Sequence, residues 1–449
     1  MFFLPAFASS LLVAAARGAD LTVPTANGEV RGTINATSPH VRQFLGIPFA
    51  EPPVAKLRFQ PQVKYAAKDR DIDAKAFAPS CMQPLTTPEA DAKDVFHVYM
   101  PQLLPGSPAQ SEDCLYLNVY APLEPAAPKL PVFVWTAGGG FASNGANVPY
   151  QVPDPWVERT QGHVVVTINY RLNLFGYPNV AAQSTNVGLM DQRLAVEWVR
   201  DNIAAFGGDA DRIVLWGQSA GAWSVNYFGY AYPEDPIVKG LIAESGGSTV
   251  FAAGDDEHRG FSAVAKNAGC GDLDAAAEMA CMQTVDAQKL QKVFANTTGF
   301  MFGPVVDNVT VFADSKDRAQ KGLVAKLPAI LGEADMISGS KVILCPTIGE
   351  IRDRVEAGLT TYRYFYSELP LIFGTHHQYN HNSTDFEWNV SHAMQDLWLS
   401  FATNPDATPS SDAFNWPKYD PAADTVASFA SADNVVVRLD GHGINDICT

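Results

Sequence analysis

Short β-rich runs alternate with stretches of helical periodicity through the middle of the chain. The β-rich runs are Leu115 to Tyr120, Pro131 to Trp135, Val164 to Asn169, Arg212 to Trp216, Gly240 to Glu244 and Pro328 to Leu331. From Gly188 to Phe206, apolar residues recur at helical spacing. Strands that alternate with helices predict an α/β fold whose central, mostly parallel sheet is flanked by helices on both faces.

The flanking regions add a predicted hairpin and more helices. Leu21 to Pro48 reads as short strands around an Asn27-Gly28 turn. Residues 255–300 and Phe386 to Phe401 have helical patterns. The chain has no internal repeat and no linker of low complexity, so we expect residues 20–449 to form a single domain.

Composition supports a folded, acidic protein. With 31 Lys and Arg against 48 Asp and Glu, the formal net charge is −17, and 47% of the 449 residues are hydrophobic. Such a chain can bury a large core, which argues against disorder. Its acidity argues against nucleic acid as a partner, because phosphate contacts need a basic surface.

The N-terminus predicts export. An apolar run from Phe2 to Ala16 precedes Arg17-Gly18-Ala19, which is typical of a secretory signal peptide over residues 1–19. The run is too short for a membrane span of about 20 residues, and a buried strand is the alternative. Six cysteines suit three disulfides with 15 possible pairings. Five N-x-S/T sequons predict glycosylation at Asn35, Asn296, Asn308, Asn382 and Asn389.

A candidate nucleophile follows the strand at Arg212 to Trp216. Gly217-Gln218-Ser219-Ala220-Gly221 has the G-x-S-x-G pattern of a tight strand-to-helix turn that exposes a serine hydroxyl. The start of the following helix favours developing negative charge. The alternative is an ordinary glycine-rich turn.

A glycine run follows the strand at Pro131 to Trp135. In Ala137-Gly138-Gly139-Gly140-Phe141 the consecutive glycines let backbone N–H groups approach a carbonyl oxygen closely. With the N–H after the serine they predict an oxyanion hole of Gly139, Gly140 and Ala220. A flexible loop or a phosphate-binding loop is the alternative, although no complete phosphate motif is present.

Several segments together resemble the type-B carboxylesterase/lipase family, which includes cholinesterases and secreted microbial esterases. They are Gln43 to Val54 with Leu57-Arg58-Phe59, Ser111 to Asn118, the glycine run, Asn169-Tyr170-Arg171, Phe206 to Asp209 and the G-x-S-x-G motif. The resemblance implies an α/β-hydrolase fold and hydrolysis of small-molecule or lipid carboxylic esters through an acyl-serine. It implies no metal and no cofactor.

The resemblance also assigns scaffold residues. It implies disulfides Cys81 with Cys114 and Cys270 with Cys281, which leaves Cys345 with Cys448 as the third pair. It also implies that Arg58 and Glu112 form a structural ion pair.

The family pattern breaks where the acid and base of a catalytic triad should follow the serine. Counting from Gly332 places the family's acid at Ile337, so Asp335 is the candidate acid and Glu333 the neighbouring carboxylate. The family's histidine position is occupied by Phe365, three residues before Glu368-Leu369-Pro370. The base therefore stays unassigned; the downstream histidines are His376, His377, His381, His392 and His442.

Three interpretations remain open. The chain is an ester hydrolase that lacks a block between Gly332 and Glu368, which would make the fold truncated in its C-terminal half. Alternatively, it is a catalytically impaired binding module with a cholinesterase-like fold. A third possibility is an active enzyme with a relocated acid and base.

Overall fold

The computed structural model describes residues 21–66, 71–84, 110–181, 186–251, 258–333, 341–365, 369–378, 383–441 and 448. The predicted signal peptide and several candidate residues lie outside these ranges. The latter are Asp335, Ile337, His381, Asn382 and His442.

The strands in chain order are β1 (Thr22–Thr25), β2 (Gly28–Arg31), β3 (Thr33–Asn35), β4 (Ser38–Pro48), β5 (Ile72–Asp73), β6 (Ser80–Cys81), β7 (Gln110–Ser111), β8 (Tyr116–Pro122), β9 (Leu130–Thr136), β10 (Val164–Ile168), β11 (Gly208–Gln218), β12 (Gly240–Glu244), β13 (Ala329–Glu333), β14 (Thr361–Phe365), β15 (Thr425–Ser431) and β16 (Asn434–Asp440).

The helices are α1 (Asp154–Thr160), α2 (Asn173–Gly176), α3 (Val187–Asn202), α4 (Ala220–Ala231), α5 (Arg259–Ala268), α6 (Ala275–Met282), α7 (Ala287–Asn296), α8 (Ser315–Gln320), α9 (Lys341–Glu356), α10 (Leu369–Phe373) and α11 (Asp385–Thr403). None of these described helices is long and apolar enough to cross a membrane.

The central sheet has eleven strands in the order β16-β15-β14-β13-β12-β11-β9-β10-β8-β4-β3. Pairing is parallel from β15 through β10 and antiparallel at both ends. The expected mostly parallel α/β sheet is therefore confirmed. The carboxyl ends of the parallel strands meet at one edge, where the serine motif lies.

Alternating residues of the central strands divide the core into two layers. On β11, Leu215 joins the layer that contains residues of α3 and α4, whereas Trp216 joins the layer of α1, α10 and α11. Because successive side chains of a strand point to opposite faces, the helices cover both faces of the sheet.

Most predicted elements are present, with small shifts at their ends. The helical pattern from Gly188 to Phe206 is α3 followed by a short 3-10 turn over Ile203–Phe206. The pattern over residues 255–300 gives α5, α6 and α7, and that of Phe386 to Phe401 gives α11. Helix α11 begins with a capping box between Thr384 and Glu387.

Disulfides and one buried ion pair fix the periphery. The structure contains the disulfides Cys81–Cys114, Cys270–Cys281 and Cys345–Cys448, the pairing that the resemblance implies. The Arg58 guanidinium donates to both carboxylate oxygens of Glu112, at 2.5 and 2.7 Å. Arg58 also donates to the backbone oxygens of Met282 and Val285, so this pair joins three separate segments of the scaffold.

Candidate active site

Ser219 is the single residue between the end of β11 and the start of α4. Its backbone has φ 53° and ψ −122°, a conformation that is strained for a residue with a side chain. Two hydrogen bonds hold it: the Ser219 N–H donates to the Glu244 carbonyl at 2.8 Å, and the Trp223 N–H donates to the Ser219 carbonyl at 3.0 Å. The predicted sharp turn is thus built between two neighbouring parallel strands and the first turn of a helix.

Close backbone packing explains both outer glycines of the motif. A Cβ at Gly217 would lie 2.6 Å from the carbonyl carbon and oxygen of Gly221, and a Cβ at Gly221 would lie 2.0 Å from the Thr136 oxygen. No other residue fits without displacement of the backbone, since real Cβ contacts are not shorter than 3.0 Å. The glycines therefore let α4 start directly against the end of β9.

The glycine run lies against this turn. A Cβ at Gly138 would lie 2.6 Å from the Gln218 oxygen and 3.0 Å from the Ser219 Cβ. Gly139 and Gly140 have φ of +120° and +63°, which glycine adopts readily. The structure therefore brings the two predicted motifs together at the sheet edge.

The ends of the glycine run are anchored to the scaffold. The Tyr170 hydroxyl donates to the Ala137 carbonyl at 2.8 Å, and the Asn173 N–H donates to the Phe141 carbonyl at 2.7 Å. Within the described parts of the chain, no acceptor pairs with the N–H groups of Gly139, Gly140 or Ala220. These three donors are consequently free to bind an oxygen that carries negative charge.

Ser219 is a half-buried residue, and its hydroxyl group is the candidate nucleophile. It has no hydrogen bond to any side chain that the structure describes. It lies at the amino end of α4, a helix of 12 residues whose dipole favours negative charge at this point. Among the described residues, the geometry thus combines an unpaired serine hydroxyl with unpaired backbone N–H groups of the two predicted motifs, and no histidine contacts the serine.

Glu333 ends β13, two residues before the candidate acid Asp335. Its side chain is buried and pairs with the Arg363 guanidinium at 3.4 Å, while Arg363 also binds Asp424 at 2.7 Å. Burial raises the pKa of Glu333 to about 7, against the opposing effect of Arg363. Glu333 therefore belongs to a buried charge network on β13, β14 and the segment before β15.

Phe365, at the family's histidine position, ends β14 and pairs in register with Glu333. The carboxyl ends of β13 and β14, between which the family pattern breaks, are therefore neighbours in the sheet. Neither Phe365 nor Ile337 has a group that could carry a proton.

The described downstream histidines gather around Trp388 of α11. Their ring centroids lie 4.4 Å (His376), 5.3 Å (His377) and 5.8 Å (His392) from that of Trp388. His376 is buried, its Nδ1 lies 2.7 Å from the Ser383 hydroxyl, and burial is the main cause that lowers its pKa to about 4. The structure shows none of the three in hydrogen-bond contact with Ser219.

The sequence did not predict the role of Glu244, a buried residue whose backbone carbonyl accepts the hydrogen bond from the Ser219 N–H. The indole N–H groups of Trp216 and Trp398 donate to its Oε1 at 2.9 and 3.2 Å. Burial raises the pKa of Glu244 to about 8, so it is mainly neutral below that pH. A carboxylate at the end of a wholly apolar strand was the available signal, although the two tryptophan partners come from distant segments.

Comparison with known proteins places this geometry in a family. A sequence model described as "Carboxylesterase family" matches residues 19–345. The chain belongs to the carboxylesterase family. It is 40% identical to a chlorogenic acid esterase of Aspergillus niger over 489 residues, covering 96% of this chain and 94% of that one. It is 35% identical to secreted lipase 5 of Gibberella zeae over 512 residues, covering 94% and 92%.

The fold comparison agrees with this membership. A solved structure of PNB esterase is similar over 95% of this chain and 98% of its own, with a TM-score of 0.79 and 24% identity. The predicted α/β-hydrolase fold is confirmed, and this carboxylesterase is a carboxylic ester hydrolase. The comparisons give no support to the alternative of an inactive binding module.

The comparisons also bear on the length of the chain and on the extent of the family match. The alignment with the chlorogenic acid esterase runs over 489 residues, whereas this carboxylesterase has 449, so at least 40 aligned positions have no counterpart here. The family match ends at residue 345, early in α9. Helix α9 is the one described helix between β13 and β14.

Proposed function

We propose that this carboxylesterase cleaves esters through an acyl-serine formed on Ser219. The observation that carries the proposal is the packing of the Gly138 backbone against the strained turn at Ser219. The N–H groups of Gly139, Gly140 and Ala220, which have no acceptor among the described residues, support an oxyanion hole at this turn. An oxyanion hole requires donors at the place where charge develops in the transition state.

The chemistry follows in two steps. In the first, the Ser219 Oγ bonds to the ester carbonyl carbon, the three N–H groups stabilise the resulting oxyanion, and the C–O bond to the alcohol breaks. The proton from Oγ leaves with the alcohol. In the second step, water attacks the acyl-serine, which releases the carboxylic acid and returns a proton to Oγ.

Proton transfer needs a base, which we leave unassigned, and an acid, for which we propose Asp335. The position of Asp335 after β13 corresponds to the region where the family carries its acid. Glu333 supports this choice indirectly, because its carboxylate is already paired with Arg363. None of the five downstream histidines is assigned as the base: the three described ones, His376, His377 and His392, contact Trp388 and make no hydrogen bond to Ser219.

We further propose that the protein is secreted and glycosylated. The signal-peptide pattern of residues 1–19, three disulfides and similarity to a secreted lipase support export. Asn35, Asn296, Asn308 and Asn389 are exposed, as an acceptor site must be. Protein purified from culture medium should begin near Ala19 or Asp20 by N-terminal sequencing and should lose mass on treatment with an N-glycosidase.

The substrate proposal rests on the relatives. Chlorogenic acid is the test substrate that the 40% identical relative suggests, and p-nitrophenyl butyrate tests ester hydrolysis in general. We expect turnover of p-nitrophenyl butyrate by the wild type and its loss, at least 100-fold, in Ser219→Ala. Ser400→Ala is the matched control, since Ser400 is a half-buried serine on α11. Equal rates in wild type and Ser219→Ala would refute the acyl-serine proposal.

A further inference from the structure

Glu244 connects the serine turn to the core layer of α1, α10 and α11. Its backbone carbonyl accepts from the Ser219 N–H at 2.8 Å. Its carboxyl Oε1 accepts from the indole N–H groups of Trp216 and Trp398 at 2.9 and 3.2 Å. Trp216 lies on β11, three residues before the serine, and Trp398 lies on α11. One residue of β12 therefore contacts the nucleophile, the strand that leads to it and a helix of that layer.

Aromatic rings surround the Glu244 carboxyl. The residue is 2% exposed, and its Oε2 has no hydrogen-bond partner among the described residues. Gly332 pairs with Glu244 in register, and a Cβ at Gly332 would lie 2.5 Å from Cδ1 of Tyr364 on β14. Tyr364 also packs against Trp398, with ring centroids 5.4 Å apart. The carboxyl consequently lies beside two indoles and a phenol, away from solvent.

No described Lys, Arg or His compensates a charge on Glu244. The charged residues of β13 and β14, Glu333 and Arg363, alternate with Gly332 and Tyr364 and so point to the other face of the sheet. The titratable residues of α11 are half-buried or exposed, unlike Trp398; they are Asp385, Glu387, His392 and Asp396. Burial raises the pKa of Glu244 to about 8, against the opposing effect of the two indole hydrogen bonds. The carboxyl is therefore mainly neutral at pH 7.

A neutral Glu244 suits the chemistry at the serine turn. Negative charge develops on the ester oxygen when Ser219 attacks, and a second negative charge nearby in a medium of low dielectric constant would oppose it. The neutral carboxyl keeps both indole hydrogen bonds without adding that charge. Loss of its proton at alkaline pH would leave an uncompensated charge behind the turn.

We propose that Glu244 is a positioning residue for Ser219, because its neutral carboxyl fixes Trp216 and Trp398 and thereby holds the serine turn in the geometry that attacks the ester. This role rests on the proposed acyl-serine mechanism. It predicts that ionisation of Glu244 slows the attack by Ser219 and leaves substrate binding unchanged.

The test compares the wild type with Glu244→Gln and Glu244→Leu between pH 6 and pH 9. The readouts are kcat and KM for p-nitrophenyl butyrate and the rate of labelling by a fluorophosphonate, which also counts the active sites. At pH 9 about a tenth of the wild-type carboxyls remain protonated, so kcat and the labelling rate should be about tenfold lower than at pH 7.

The two substitutions should differ in kind. The Gln oxygen of Glu244→Gln can accept from both indoles and its side chain cannot ionise, so this variant should lack the alkaline fall. Glu244→Leu leaves two buried indole N–H groups without an acceptor, and kcat per active site at pH 7 should fall about tenfold or more while KM changes little.

Trp398→Phe gives a readout that a purely structural role would not change. Without the Trp398 N–H, the ionised carboxyl loses one of the two hydrogen bonds that lower its pKa, so the alkaline fall should move to higher pH. Asp154→Asn is the matched control, since it removes a buried carboxyl of α1 whose pKa burial raises to about 7. It should leave kcat and its pH profile unchanged.

Ser219→Ala separates the two proposals. Equal rates in wild type and Ser219→Ala would refute the acyl-serine mechanism and, with it, the role of Glu244. If the serine is required, the positioning role alone is overturned by either of two results. One is an alkaline fall in Glu244→Gln equal to that of the wild type, and the other is an unchanged position of the fall in Trp398→Phe.

Discussion

Ser219 adopts its strained backbone because the atoms around it leave no alternative. The Glu244 carbonyl fixes its N–H, α4 begins at the next residue, and the end of β9 lies within contact of Gly221. Strain of this kind costs on the order of 1–3 kcal/mol and persists where the surroundings impose it. The glycines that permit the turn should therefore tolerate no side chain.

Gly221→Ala tests this directly. The added methyl group would meet the Thr136 oxygen at 2.0 Å, so we expect a loss of about 1–3 kcal/mol in the free energy of unfolding and a large fall in esterase rate. Gly349→Ala, in the interior of α9, is the control, because no atom lies within 4 Å of the position of an added Cβ. This change should raise the free energy of unfolding by about 0.5–1 kcal/mol. Urea unfolding measures both, and an unaffected Gly221→Ala variant would contradict the packing.

Glu244 predicts a dependence of stability on pH. Its pKa is about 8 in the folded protein, above the ordinary 4.5 that it regains on unfolding. The folded state therefore holds more protons, and the free energy of unfolding should fall as the pH rises from about 4.5 to 8. Glu333 and Asp154, with pKa values of about 7, should add to the same decline.

Glu244→Gln isolates this contribution. The amide oxygen can still accept from the two tryptophans, but the side chain cannot ionise, so the variant should exceed the wild type in stability at pH 8 by a few kcal/mol. At pH 5 the two should be similar. Glu29→Gln, an exposed glutamate on β2, should leave the urea-unfolding profile unchanged. Identical profiles for Glu244→Gln and wild type would show that Glu244 is ionised in the fold.

The histidines around Trp388 give a kinetic prediction. His376→Ala, His377→Ala and His392→Ala should each keep kcat/KM for p-nitrophenyl butyrate within about threefold of wild type, since none contacts Ser219. Loss of a true catalytic histidine costs on the order of 10⁶ in kcat in a serine protease. A fall of 1,000-fold or more in any of the three would identify that residue as the base.

At the scale of elements, α9 lies in the chain between β13 and β14, the segment in which the family pattern breaks, and a disulfide connects this helix to the C-terminal segment. The disulfide Cys345–Cys448 ties α9 to the C-terminal segment and closes 103 residues, whereas Cys270–Cys281 closes 11. In the chain-entropy account, a longer closed loop restricts the unfolded chain more strongly.

Removing these disulfides in pairs should therefore cost unequal stability. Cys345→Ser with Cys448→Ser should lower the free energy of unfolding by about 5 kcal/mol, and Cys270→Ser with Cys281→Ser by about 3 kcal/mol. Urea unfolding of the two double variants at one pH gives the comparison. A larger loss from the short loop would show that native-state contacts, not loop length, decide the effect.

Elements with strong local signals could be predicted from the sequence, and others could not. Helix α3 carries a clear periodic pattern, and β9 to β12 are short β-branched runs between turn residues. The hairpin of β15 and β16 and strand β14 were not predicted, because their short runs are stabilised mainly by pairing with β13 and with each other. The partners of β14 are distant in sequence, and the two residues between β15 and β16, Ala432 and Asp433, include no glycine that would indicate a hairpin.

At the scale of the whole molecule, the proposed active site also has one part that the sequence predicts and another part that it does not. The proposed nucleophile and oxyanion donors lie in two glycine-rich motifs that specify their own backbone, so a few residues of sequence are enough to predict each motif. The proposed acid, Asp335, and the unassigned base belong to no such motif, so the sequence alone does not specify where their side chains lie.

The most direct test of the central claim is covalent labelling with a fluorophosphonate, followed by peptide mass spectrometry. Phosphonylation requires an activated serine and does not depend on knowledge of the natural ester. The account predicts one adduct per folded chain, on the peptide that contains Ser219, absent from Ser219→Ala and from urea-unfolded protein. No adduct on the folded wild type, or an adduct on another serine, would contradict it.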